Sequence, residues 1–416
     1  MSGGRPLRVT AVSLPALPAI DPAADGPVGG TEVRAWTLCR GLATLPDTGV
    51  TLLVRGPANG ERTVEGVRVR TLRDRWFDWY VRVGRAVERT PRFPFLRVRS
   101  WDAGTLWRLP LVAAHRLVAG PPSGERLGRV LRENPADVFL VFGVTATSAA
   151  VVDAAAATGR SAVVGVGCDD DLDARYATDP AFVSPYGDRA ADCLKALTES
   201  AAVLVQTDTQ AEMLRDRFGR EGVVLPNPID RSVWRPEVPP RPPAGVEPGY
   251  ALWVGRAEGV HKRPQLLPDL ARLCPGVRFL MVLNPADAAL ERRVRAAVPP
   301  NVTIVPRLPP PEMPGVFAAA RCLVNTSAVE GFPNVFLQAA AVGVPVQSLL
   351  VLGDWLAETG VGRAYGGDLS AMAAGVSAAP PETDAADAVL VRHELRRVAG
   401  RLREALASAA AARTAR

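Results

Sequence analysis

Short apolar runs alternate with helical stretches in two series, divided by a proline-rich break, and this pattern constrains the chain more than any other feature. Residues 7–14 read as a strand, a loop with Gly29 and Gly30 follows, and the pattern turns helical from Val33 through Trp36, Leu38 and Leu42 toward a second strand at 50–54. Residues 137–142 (DVFLVF) and 161–166 (SAVVGV) are short continuous apolar runs, the signature of strands buried on both faces of a parallel sheet. A helix at 191–199, a strand at 202–206, a helix at 209–218 and a strand at 223–225 close the first series. After the proline-rich stretch 236–248, strands are expected at 250–256, 277–283, 302–305, 322–325 and 344–349, with helices at 286–298 and 312–320 between them. Parallel strands need crossover helices, so the fold class is α/β with two doubly wound domains, 1–235 and 236–383. An alanine-rich amphipathic helix with Leu390, Leu395, Val398, Leu402 and Leu406 is expected to run from Asp384 to the chain end.

With 416 residues, 48% of them hydrophobic and 22% charged, the chain has enough apolar material for two well-buried domains and nothing of the disordered class. The net charge of +6 permits partners with phosphates or acidic surfaces, but arginine supplies nearly all the positive charge and the only lysines are Lys195 and Lys262. The five cysteines are scattered without a CxxC pair, which argues for a reducing compartment and against a zinc site or a disulfide frame. The apolar run after Arg5 and Arg8 reads as a first strand rather than a signal peptide, and the most apolar stretch, 335–352, is interrupted by Gln338, Pro345 and Gln347. A cytoplasmic protein is expected, with peripheral contact at the inner face of the membrane left open.

The stretch 327–346, SAVEGFPNVFLQAAAVGVPV, has the makings of a ligand site. Glu330 and Gly331 lead through Phe332, Pro333 and Asn334 into a helical run that stops at Gly343 and Pro345. Unpaired N–H groups at a helix start, with the helix dipole behind them, favour phosphate oxygens, and Pro333 suits the first turn because it has no N–H to lose. A carboxylate beside phosphates is repulsive unless it serves something neutral, and sugar hydroxyls are neutral donors. One ligand with phosphates at one end and a polyol at the other fits both demands.

At this point the sequence resembles the retaining glycosyltransferases of the group 1, or family 4, type, which include sucrose synthase and bacterial mannosyltransferases. Their motif is a glutamate, seven residues and a second glutamate. Here the first is Glu330 and the second position is Gln338, which still exchanges hydrogen bonds with hydroxyls but lacks the charge. The resemblance implies the GT-B fold, two Rossmann-like domains facing across a cleft, with the last helix (384–416) crossing back to the first domain. It also implies that Glu330 holds donor sugar hydroxyls, that amides of Gly331, Phe332, Pro333–Phe336 (Asn334 and Val335 among them) neighbour the phosphates, and that Gln338 meets the ribose. The strand ending in Gly255-Arg256, followed by Lys262, is similar to the family's diphosphate grip, with Arg256 suited to bidentate contact and Lys262 to the bond being broken. By the same resemblance Gly29 and Gly30 lie in the cleft on the donor side, and the segment of Glu312–Pro314 near the base. Glu32 and Arg34 read instead as a solvated first helical turn, and His261 as incidental.

Two stretches remain. CDDDLD (168–173) places Asp169, Asp171 and Asp173 after a strand, where open α/β sheets bind ligands; its spacing fails the EF-hand pattern, and these acids are acceptor-side candidates with solvated loop acids an equal reading. Residues 55–133 are rich in arginine and aromatics, among them Trp76, Trp79, Phe93, Phe95, Trp101 and Trp107, and point to acceptor or membrane-surface contact ahead of a structural insertion, with no recognised nucleic-acid module. The function expected is transfer of a sugar from a nucleotide-diphosphate donor, with retention, to a glycan, lipid or small-molecule acceptor; no metal or other cofactor is expected beyond the nucleotide sugar as co-substrate. A decayed, non-catalytic sugar-nucleotide-binding protein, or an epimerase or phosphorylase on the same fold, is the alternative.

Overall fold

The computed structural model describes residues 5–24, 26, 28–89, 96–98, 103–119, 124–350, 355–378 and 386–414. Two parallel sheets form its two halves. The first comprises β1 (Leu7–Val12), β2 (Thr48–Arg55), β3 (Gly60–Val64), β4 (Val67–Leu72), and, beyond a small antiparallel pair β5 (Val87–Arg89) and β6 (Leu96–Val98), β7 (Val138–Phe142), β8 (Ser161–Gly165), β9 (Ala202–Val205) and β10 (Gly222–Val224). Among the described residues the order is β10-β9-β8-β7-β1-β2-β4-β3, with only β3 antiparallel to its neighbour. Burial on both faces explains the unbroken apolar runs. Phe139 and Val141 of β7 pack on one side with Leu131 and Val151, while Val138 and Leu140 pack on the other with Leu38 and Leu402.

The second sheet comprises β11 (Tyr250–Arg256), β12 (Phe279–Asn284), β13 (Val302–Val305), β14 (Ala320–Asn325), β15 (Val346–Ser348) and β16 (Gly362–Ala364), in the order β13-β12-β11-β14-β15-β16. The winding direction reverses between β1 and β7 in the first sheet and between β11 and β14 in the second. Loops that leave the carboxyl ends of strands at such a reversal splay apart and open a crevice.

The chain passes between the halves twice at one place. Outbound, Ile229 N donates to His393 O at 2.7 Å; on the return, Leu395 N donates to Ile229 O at 3.0 Å, and His393 Nδ1 donates to Asn227 O at 2.7 Å. This pairing corrects the expectation of one continuous terminal helix. Asp384 itself lies outside the described residues, and the chain forms two helices, Ala386–His393 and Leu395–Thr414, because the backbone at 393–395 bonds to the outbound segment instead of to its own preceding turn. The longer helix lies on the first half. Leu402 and Leu406 enter that core, and Ser161 Oγ donates to Ala409 O at 2.6 Å. Gly41 permits the crossing, since a Cβ there would come within 2.7 Å of Leu395 Cδ1.

Within 55–133, the helices Arg75–Ala86 and Ala103–Ala119 pack through Trp76 stacked on His115 and Trp79 edge-on to Trp107. Phe93, Phe95 and Trp101 lie outside the described residues. No helix among the described residues is long and apolar enough to cross a membrane.

Candidate functional site

The loops after β11 and β14, at the reversal of the second sheet, carry the basic pair and the acid picked out in the sequence. Arg256 ends β11, and residues 257–263 then curl around Glu258. The Glu258 carboxylate accepts from Val260 N at 2.7 Å, His261 N at 2.8 Å and Lys262 N at 3.2 Å. Burial alone would raise its pKa, but these donors hold it below the usual carboxylate range. Thr326, just past β14, takes a bond from Trp253 Nε1 at 2.9 Å and reaches the Lys262 and Arg263 carbonyls at 2.8 and 3.1 Å. Arg263 has a left-handed backbone (φ 47°) and donates to the carbonyls of Thr326 and Ser327 at 2.8 and 2.9 Å. The two loops are thus sewn together, and Lys262 Nζ meets Glu330 Oε1 in an ion pair.

Beyond Glu330 the chain presses against the first half. A Cβ on Gly331 would stand 2.7 Å from Gln206 Oε1, 2.8 Å from Gln210 Nε2 and 3.0 Å from Cys168 Cα, so only glycine fits this approach. Phe332 packs edge-on to Trp355 and against the ring of His393. Pro333 starts the helix Asn334–Ala341, whose early N–H groups have no carbonyl a turn before them within the helix; Phe336 N bonds Pro333 O at 3.0 Å, and the Phe336 ring is core. Val335 is half-buried, as is Gln338, one turn behind Asn334 on the same helix face.

Asn334 joins the halves. Its Nδ2 donates to Gly30 O at 3.0 Å, while its Oδ1 accepts from Asn227 Nδ2 at 2.8 Å; the same Nδ2 of Asn227 reaches Phe332 O at 2.9 Å. Next to Gly30, Gly29 lies beside Arg256, whose Cζ would be in ordinary contact at 3.7 Å with a Cβ placed there, while Glu32 Oε2 would be only 2.4 Å from it. Arg256 Nε is buried without a hydrogen-bond partner. Gly29, Gly30, Arg256 and Asn334 therefore form one patch, continuous along the β11 loop with Lys262 and Glu330. Glu312 and Pro314 lie at the start of the helix Met313–Ala318, which packs against both β14 and the helix Asn334–Ala341.

The acids after β8 separate by environment. Asp171, 3% exposed, turns inward and accepts from Gly167 N at 2.7 Å and Val144 N at 3.3 Å, and burial pushes its pKa up to about 7. Asp173 pairs with Arg175 at 2.6 Å. Asp169 accepts from Gln210 Nε2 at 2.9 Å and faces the seam. The alternating-position reading missed Asp170, which reaches across to the second half and stands 2.7 Å from His261 Nε2; Glu258 lies 3.3 Å from the other ring nitrogen and Tyr186 stacks on that ring. His261 is thus part of the seam rather than incidental. Asn227 was not legible as a site residue, since nothing local marks a side chain whose partners, Phe332 O and Asn334 Oδ1, lie in the other half; Gln206 and Glu258 bond within their own halves and come to the seam only through the approach of Gly331 and His261.

Arg34 departs from expectation as well. It is 2% exposed rather than solvated, because its guanidinium caps the carbonyls of Val166 and Leu225 at 2.9 and 3.1 Å beyond the first sheet's strands, and burial lowers its pKa to about 10. Among the described residues, no group of three or more His, Cys, Asp or Glu side chains is placed to hold a metal ion.

Residues 249–378 match the sequence pattern of glycosyl transferases group 1. A D-inositol 3-phosphate glycosyltransferase from Segniliparus rotundus is 29% identical over 175 residues, a match that takes in 38% of this chain and spans 38% of the length of that curated relative. Among solved structures, AviGT4, a glycosyltransferase involved in avilamycin A biosynthesis, superposes with a TM-score of 0.57 at 18% identity over 98% of both chains. The E. coli trehalose-6-phosphate structure bound with UDP-2-fluoro glucose gives 0.62 at 11% identity over 96% of this chain and 98% of that one. With two parallel-sheet Rossmann-like halves facing each other, and solved glycosyltransferases superposing over nearly their whole length, the chain has the GT-B fold.

Proposed function

We propose that the protein is a retaining glycosyltransferase of the family 4 type, which takes a sugar from a nucleotide-diphosphate donor held mainly by residues 236–383 and passes it to an acceptor held by residues 1–235. The observation that carries this reading is the meeting of Lys262 with Glu330 beside the patch of Arg256, Gly29, Gly30 and Asn334. A basic pair, a carboxylate and a helix start in one crevice suit a ligand with a diphosphate at one end and hydroxyls at the other. Arg256, with its unpartnered Nε, supplies donors to the diphosphate; Lys262 stands at the leaving oxygen; Glu330 accepts from sugar hydroxyls. In the step, the bond from the anomeric carbon to the phosphate oxygen breaks, the acceptor oxygen bonds that carbon from the same face, and the acceptor proton passes to the departing phosphate. The products are the glycoside and a nucleoside diphosphate. The close fit of Gly331 against the first half supports exclusion of water from this crevice.

Gln338 favours a second reading, a binding protein that has lost transfer. A screen of UDP-, GDP- and ADP-sugars for release of the nucleoside diphosphate, repeated on Gln338→Glu, separates the two. Release from at least one donor is expected. Failure of both proteins to bind or turn over any of the donors would leave the transfer reading without support.

A further inference from the structure

The net positive charge of the chain comes from one stretch. Of 49 basic and 43 acidic residues, ten arginines and four acids fall in 73–119, which leaves 39 of each elsewhere, so the whole net charge of +6 belongs to this stretch. Heavy use of arginine throughout the chain does not explain that, since elsewhere acids match it one for one. The stretch contains the helices Arg75–Ala86 and Ala103–Ala119, which pack on each other. The first follows the carboxyl end of β4, the same edge of the sheet from which the loop with Gly29 and Gly30 leaves β1, so the pair starts on the crevice side of its half.

A second observation concerns the outer face of the longer helix. Trp107 is 48% exposed and Leu111 44%, and Pro110 and Ala114 are exposed with them. Positions 107, 110, 111 and 114 share one helix face, so these four form an apolar stripe open to solvent, while Thr105 and Val112 on the opposite side are buried. Arg108 bends along its edge, with Cζ 4.2 Å from the Trp107 ring and 5.6 Å from the Trp79 ring. On the shorter helix Arg75, Asp78 and Arg82 are exposed on one face.

An apolar face with surplus cations around it calls for a partner with an anionic surface and an apolar interior. A second copy of this chain would set +6 against +6. A nucleic acid needs rings to stack on, but Trp76 and Trp79 are turned into contacts with His115 and Trp107, and Pro110, Leu111 and Ala114 offer no π face. We propose that the helix pair docks on an anionic lipid bilayer, with the 107–114 stripe among the upper acyl chains and the arginines at the headgroups. Tryptophan suits that boundary because its ring is apolar and its N–H polar. The proposal stands apart from the transfer reading and does not require it.

Sedimentation of the full chain with lipid vesicles tests this. Phosphatidylcholine containing about 30% phosphatidylglycerol should bind it about tenfold or more tighter than phosphatidylcholine alone, and about 0.5 M salt should remove most of that gain. Arg75→Glu and Leu111→Gln, made separately, should each weaken binding to the anionic vesicles by about fivefold or more, with the thermal melt unchanged. Arg293→Glu, an equal charge change at an exposed position of a helix in the second half, should stay within about twofold of wild type. Binding to neither kind of vesicle, equal binding to both, an equal loss in Arg293→Glu, or wild-type binding by either helix variant overturns the proposal. So does capture by a single-stranded oligonucleotide in preference to the anionic vesicles.

Discussion

Lys262 Nζ is paired with Glu330 Oε1, the same carboxylate oxygen that Ser327 Oγ reaches at 2.7 Å. Without a ligand the two groups neutralise each other. On the proposed transfer a bound donor would part them, the lysine turning to the leaving phosphate and the carboxylate to sugar hydroxyls. Lys262→Ala is expected to lower turnover by about a hundredfold or more. Its far-UV spectrum and cooperative melt should be kept, since Ser327 still holds the acid. Steady-state release of nucleoside diphosphate checks this, and wild-type turnover in the variant would remove Lys262 from the chemistry.

In the proposed donor site Arg256 would act through geometry as well as charge. Its unpartnered Nε lies beside the bare backbone of Gly29, where a planar guanidinium can meet two oxygens at once. Arg256→Ala should raise the dissociation constant of the nucleoside diphosphate by about tenfold to a hundredfold, and Arg256→Lys should recover only part of that loss. Calorimetry on the three proteins decides the matter; full recovery with lysine would mean that a point charge suffices.

Gly331 tests whether the close approach of the halves matters. Alanine there must displace Gln206, Gln210 or the backbone at Cys168. Gly331→Ala is expected to depress transfer strongly while each sheet keeps its own core, so turnover should fall by about tenfold or more with little change in the unfolding midpoint. Equal loss of activity and of stability would point to a folding defect instead.

Asp171 makes stability depend on pH. Its folded pKa of about 7 lies above the ordinary value of about 3.9. Between those values the folded chain keeps a proton that the unfolded chain has lost, so this contribution is full below about pH 4 and fades as pH rises through about 7. The urea midpoint should therefore drop between about pH 4 and about pH 7, and Asp171→Asn should flatten the drop. Parallel pH profiles for the two proteins would assign the effect elsewhere.

How much of this was legible follows from the range of the interactions. Strands such as β7 and β8 announce themselves because burial on both faces demands unbroken apolar runs. Strands β3 and β4 do not, because Glu61, Arg62, Arg68 and Arg70 interrupt the apolar positions on a partly exposed edge. Glu330, Arg256 and Lys262 were readable from local motif; the pairing of Lys262 with Glu330 comes from β11 and β14 lying side by side, an order the sequence does not state. The contact of Asp170 with His261 was not, since it requires knowing which loop ends face each other across two sheets. The break at Glu394 carries no glycine or proline signal either; pairing with Ile229 alone creates it.

The doubled crossing at Ile229 and His393 has a mechanical consequence. Two connections placed far apart would act as a pair of struts and resist opening in every direction. Two laid side by side and bonded to each other work like the taped spine of a book, bending readily about one line and resisting twist, so each time the covers shut the same pages meet.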